Sequence, residues 1–77
     1  MTTCTFRAER LGDVFNFLSA LSLAHRIVFC TIEPDDCFPD VEVLLRTAGT
    51  VQQLRAIAGS IEDAHVIAES LEEPVPQ

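Results

Sequence analysis

The chain has 77 residues, and its five basic residues, all arginine, stand against twelve aspartates and glutamates for a formal net charge of −7. So acidic a body is repelled by a phosphate backbone and by an anionic lipid surface, which excludes nucleic-acid and membrane binding. No apolar stretch approaches the ~20 residues that span a bilayer, and the length allows one domain.

The first segment, Thr2 to Ala8, alternates as a strand does, with Cys4, Phe6 and Ala8 facing one way and Thr3, Thr5 and Arg7 the other. Gly12 marks the exit from the loop after it. From Asp13 to Arg26 the period changes, and Val14, Phe17, Leu18, Leu21 and His25 fall on one helical stripe, which Phe15 and Leu23 widen. Asp13 at the start and Arg26 at the end both suit the helix dipole.

Ile27 to Ile32 is β-branched and aromatic, a second strand. Two prolines and three aspartates then make Glu33 to Asp40 a turn. Val41 to Arg46 is a third strand, with Val41, Val43 and Leu45 on one face. Thr50 and Gln53 form a capping box that opens a second helix, whose buried stripe is Val51, Leu54, Ile57 and Ile61. Gly59 is a candidate C-cap. Ala64 to Glu69 is expected as a fourth strand, with Ala64, Val66 and Ala68 opposite His65, Ile67 and Glu69. Residues 72–77 are expected to be a flexible tail after a single domain of residues 1–71.

The order is β-α-β twice, which predicts an α+β, ferredoxin-like βαββαβ sandwich. Its four-stranded antiparallel sheet would carry both helices on one face, through right-handed crossovers. The opposite face would mix Arg7, Glu42, Arg46, His65 and Glu69 with Phe29, Leu44 and Ile67. Those three apolar residues are the expected interface, because an apolar patch on an open sheet face marks a partner surface. A one-residue change of strand phase would reverse the assignment.

Candidate chemistry fails one centre at a time. His25 and His65 have no metal-ligand spacing to each other or to Cys30 and Cys37. The carboxylates Glu33, Asp35, Asp36 and Asp40 lack the alternating ligands and central glycine of a calcium loop, and are a solvated turn. Cys37 is the thiol expected to be exposed, but its acidic neighbours disfavour a thiolate. No serine or threonine sits in a nucleophile motif. The reading is therefore not an enzyme, with no metal and no cofactor. Three cysteines without a paired framework, and no basic n-region or long apolar segment at Thr2, point to a cytoplasmic chain with reduced thiols.

The junction Glu9-Arg10-Leu11-Gly12-Asp13 stands apart. A glycine there allows close backbone approach, the helix amides suit a carboxylate, and Glu9 with Asp13 could receive an ammonium group. The same residues also serve as a plain connecting turn.

Glu9-Arg10-Leu11-Gly12-Asp13-Val14 resembles the acidic-x-Pro-Gly-x-Leu pattern of ACT domains in its spacing, with Leu11 at the proline and Val14 at the leucine. Ile61-Glu-Asp-Ala-His-Val66 is similar to that family's last helix–strand junction, and Ala64-His65-Val66 to the small regulatory subunits of acetolactate synthase. The likeness spans most of residues 4–71. It implies a regulatory domain that forms homodimers, binds an amino acid through Glu9, Leu11, Gly12 and Asp13, or regulates an enzyme in trans. A ligand-free dimerisation module is the alternative. Energetics agree with pairing. Burial of apolar surface contributes about 110 kcal/mol, and ordering the chain costs about the same. A lone monomer is marginal.

Overall fold

The computed structural model describes residues 1–34, 36, 40–62 and 64–73. Its elements are β1 (Thr2–Ala8), α1 (Leu11–Ala24), β2 (Ile27–Pro34), β3 (Val41–Thr47), α2 (Val51–Gly59) and α3 (His65–Ser70). The strands form one three-stranded antiparallel sheet in the order β1-β3-β2. The protein is thus a small α+β fold, with a three-stranded sheet rather than the four-stranded one anticipated.

Alternation decides β1 and β3. Cys4, Phe6 and Ala8 are buried on one side of β1, and Val43, Leu45 and Thr47 on the same side of β3. Val14, Phe17 and Leu21 of α1, Leu54 and Ala58 of α2, and Ile67 of α3 join them in a single core. All three helices therefore cover one sheet face. The Phe6 and Phe17 rings meet edge to face, 5.2 Å between centroids, and tie α1 to β1.

β2 is an edge strand with a bulge at Val28. Without the extra residue, Ile27 and Phe29 would share a face. With it, Ile27 pairs with Thr47 and packs on the core, while Phe29 pairs with Arg46 on the other side. Pro34 is tolerated because it ends the strand. Thr47 is buried, and its hydroxyl donates to the Arg26 carbonyl at 2.7 Å. The His25 ring lies against Gly49, so that a Cβ added there would stand 3.2 Å from it.

The helices differ from expectation at their ends. α1 starts at Leu11 and stops at Ala24, because His25 turns to an extended conformation (φ −139°). Gly12 is therefore inside the first turn rather than in the loop. The capping box of α2 is present: Thr50 Oγ1 accepts from the Gln53 amide, and Gln53 Oε1 accepts from the Thr50 amide. Gly59 is the last helical residue and not the cap. Ser60 takes that place, and its hydroxyl donates to the Ile57 carbonyl.

The largest correction concerns residues 64–69. In place of a fourth strand they enter α3, which buries Ile67, with Ala64 before it and Leu71 after it. A strand in the expected phase would turn Ile67 away from the core. The helix buries Ala64, Ile67 and Leu71 together, at i, i+3 and i+7, and packs Ala68 beside them. Burying the larger side chains wins.

The chain beyond α3 closes the outer edge of β1. Thr5 and Glu72 exchange two backbone hydrogen bonds in an isolated antiparallel bridge. The Arg7 amide donates to Ser70 Oγ at 2.8 Å. Glu72, expected in a flexible tail, is thus held against the sheet. Residues 74–77 lie outside the described residues.

Candidate functional site

Among the described residues, nothing covers the sheet face opposite the helices. Register and alternation arrange it as three rows across β1, β3 and β2. Arg7, Glu42 and Glu33 form the first row, Thr5, Leu44 and Thr31 the second, and Thr3, Arg46 and Phe29 the third. Leu44 is half-buried and Phe29 is 40% exposed. Around the middle row lies a shallow depression of about 230 Å³, lined by Thr5, Thr31, Glu33, Glu42 and Leu44 among others.

Among the described residues of the three strands, this face carries two arginines and two glutamates. The remaining three arginines and ten carboxylates lie elsewhere in the sequence. Glu33 stands directly opposite Glu42 in the register, an unfavourable cross-strand pair. Among the described residues Glu33, Glu42 and Arg46 make no ion pair. The balance is one of the face as a whole.

Of the expected interface residues, Phe29 and Leu44 are on this face and Ile67 is not. Ile67 sits in the core because its segment is helical. His65 and Glu69, expected beside it, are exposed on α3.

The junction from Glu9 to Asp13 is exposed at Glu9, Leu11 and Gly12. Arg10 takes the N-cap position without a side-chain cap bond, and its Nε lies 3.6 Å from Asp13 Oδ2. Asp13, expected to receive an ammonium group, stands beside this arginine. A Cβ on Gly12 would meet nothing within 4 Å, so the backbone does not demand glycine there. None of Glu9, Leu11, Gly12 and Asp13 lines the depression on the open face or a second, larger cleft at the edge of β1.

This second cleft, about 470 Å³, includes Arg7, Glu42, Arg55, Glu69, Ser70 and Glu72 in its lining. Arg55 spends one donor on the Leu71 carbonyl at 3.0 Å. Ser70 Oγ accepts from the Arg7 amide and donates to the Val66 carbonyl at 2.7 Å. Its hydroxyl is therefore committed to backbone groups and holds α3 to β1. Sequence reasoning misses this cleft, since Arg7 and Ser70 are 63 residues apart. The signal present is the i, i+3, i+7 spacing of Ala64, Ile67 and Leu71.

Among the described residues no group of three or more His, Cys, Asp or Glu could hold a metal ion. Nor is any helix there long and apolar enough to cross a membrane. Cys37 and Asp35 fall outside the described residues. Cys4 and Cys30 are free thiols. Burial, then the Glu73 carboxylate, then Cys30, push the Cys4 thiol up to about 11. Burial also raises Cys30. Neither is set up as a nucleophile.

The Cys4 shift has a sign for stability. The folded chain holds the thiol proton more tightly than the unfolded chain, whose thiol ionises near the ordinary value of 9.0. The contribution is fully present below pH 9 and is lost as pH rises through about 11. Urea midpoints should therefore fall across that window, and Cys4→Ala should flatten the slope. An equal slope in the variant would assign the loss to other groups.

No family model matches the chain, and no curated protein matches it.

Proposed function

We propose that this chain is a non-catalytic, ACT-like regulatory module that works by pairing through its uncovered sheet face. The observation that carries the reading is the central row of that face. Leu44 lies between two threonines, Phe29 lies diagonally beside it, and the helices cover only the other side of the sheet. An exposed apolar patch bounded by polar groups is the usual mark of an interaction surface. The ACT-like part is supported by the arrangement of the sheet. β3 lies between β1 and β2, and the Thr5–Glu72 bridge is on the far edge of β1. A ferredoxin-like frame would have this form if its last strand were cut to one residue pair. Regulation of an enzyme in trans follows from the same reading, with the paired module as the acting form.

Sedimentation equilibrium tests the pairing. The wild-type chain should associate with rising concentration, and Leu44→Glu should remain monomeric while keeping its fold by circular dichroism. Leu23→Glu is the control, because Leu23 is 90% exposed on α1, on the helix side of the sheet. Association of Leu44→Glu at wild-type strength would overturn the reading. So would a wild-type chain that stays monomeric up to about 1 mM, a range that reaches weak, small interfaces.

A further inference from the structure

We infer that the partner on this face is a second copy of the chain, docked face to face with its strands running antiparallel to the first copy's. In this arrangement Arg46 of each copy meets Glu42 of the other across a two-fold axis that passes over Leu44. The inference rests on the pairing reading and adds the orientation of the two copies and the charged contacts between them.

Charge selects the face. Two copies that each carry −7 repel, so they approach best where the local charge is balanced. The open face is such a place, since Arg7 and Arg46 offset Glu33 and Glu42. Its charges are also separated along the strands. The first row holds both glutamates with Arg7, a net negative end, and the third holds Arg46 alone. Four residues of strand put Glu42 and Arg46 about 13 Å apart, too far to pair within one copy.

Two face-to-face arrangements keep the strands aligned, as packed sheets prefer. In one, the axis runs along the strands, and the rows keep their order. Glu42 then meets Glu42, and Arg46 meets Arg46, on the central strand. In the other, the axis runs across the strands through the middle row. Leu44 meets Leu44, each Arg46 lies over Glu42 of the other copy, and Glu33 and Arg7 flank the same arginine diagonally on either side. Sheets stack about 10 Å apart, a gap that an arginine and a glutamate can close from opposite sides. The first also sets Arg7 over Glu33 of the other copy on the flanking strands, but only the second avoids directly facing like charges. It also relieves the Glu33–Glu42 repulsion by bringing a cation to that end.

Each reversed-charge variant alone would then face its own sign twice, while the two mixed together restore both attractive pairs. Arg46→Glu and Glu42→Arg should each associate about tenfold more weakly than wild type, since close interfacial charge pairs couple at this level or above. An equimolar mixture should recover wild-type association and form the heterodimer. Sedimentation of the mixture, with one variant carrying a fluorescent label, reads this directly. If a reversed chain fails to fold, Arg46→Gln and Glu42→Gln replace it. Each should then weaken pairing and reduce its salt dependence.

Failure is distinguishable from failure of pairing itself. If wild type pairs and Leu44→Glu abolishes it, but the mixture is no tighter than its components, the orientation is overturned and the pairing reading stands. If each reversed variant pairs as strongly as wild type, the Arg46–Glu42 contact is overturned. If wild type never pairs, both fall together.

Discussion

Replacing Phe17 with alanine should cost about 3–5 kcal/mol of folding stability and bring the chain to the edge of unfolding. Phe17 is completely buried, and its ring stands at 80° to that of Phe6 across the α1–β1 contact. The loss combines the apolar area, the cavity left behind and the aromatic pair, the last worth about 0.5–1.5 kcal/mol. A chain this short commands about 4–12 kcal/mol in all, at roughly 0.05–0.15 kcal/mol per residue. One side chain therefore carries a large share of the total. Urea unfolding followed by circular dichroism measures it, and a double cycle with Phe6→Ala isolates the ring pair. A loss below about 1 kcal/mol would mean that the core closes without this contact.

Ile67→Ala is the second large effect, at about 2–5 kcal/mol. It decides between two structures for the same residues. On an open strand face Ile67 would be dispensable, whereas in α3 it is buried beneath the helix. His65→Ala is the companion measurement. His65 is exposed on α3, so its loss should stay within about 0.5 kcal/mol. Equal, small effects at both positions would favour the strand. The contrast is sharp because α3 has only six residues, too few to be stable without tertiary packing. Its contacts hold it.

The same residues explain what the sequence made legible. β1, β3 and the capping box of α2 rest on local patterns that tertiary structure did not overrule. The stripe of α1 was equally plain, since Val14, Phe17 and Leu21 repeat at helical spacing and all three are buried. Around Ala64 two periods compete. Ala64, Val66 and Ala68 satisfy the strand, and Ala64, Ile67, Ala68 and Leu71 satisfy the helix. A strand that ends at Glu69 leaves out Leu71, the residue that favours the helix. The open face was largely readable because alternation assigns Leu44, Arg7, Glu42 and Arg46, with Phe29 joining them past the bulge at Val28. Ile67 was misplaced only because its element was. Nothing local could reveal the cleft, which exists where the chain returns to β1 after more than sixty residues.

The return of residues 70–72 to β1 also sets an order of events during synthesis. β1 precedes the other described elements in the chain, yet its outer edge receives Ser70 and Glu72 only after the more than sixty residues between them are made. Until then Thr5 and Arg7 present unsatisfied backbone groups, and a shortened nascent chain lacks Ile67 and Leu71 to close the core. Folding cannot be completed in step with translation. The ribosome must release the residues through Glu72 before β1 is sheltered, and a fold cut before Ser70 keeps a sticky edge.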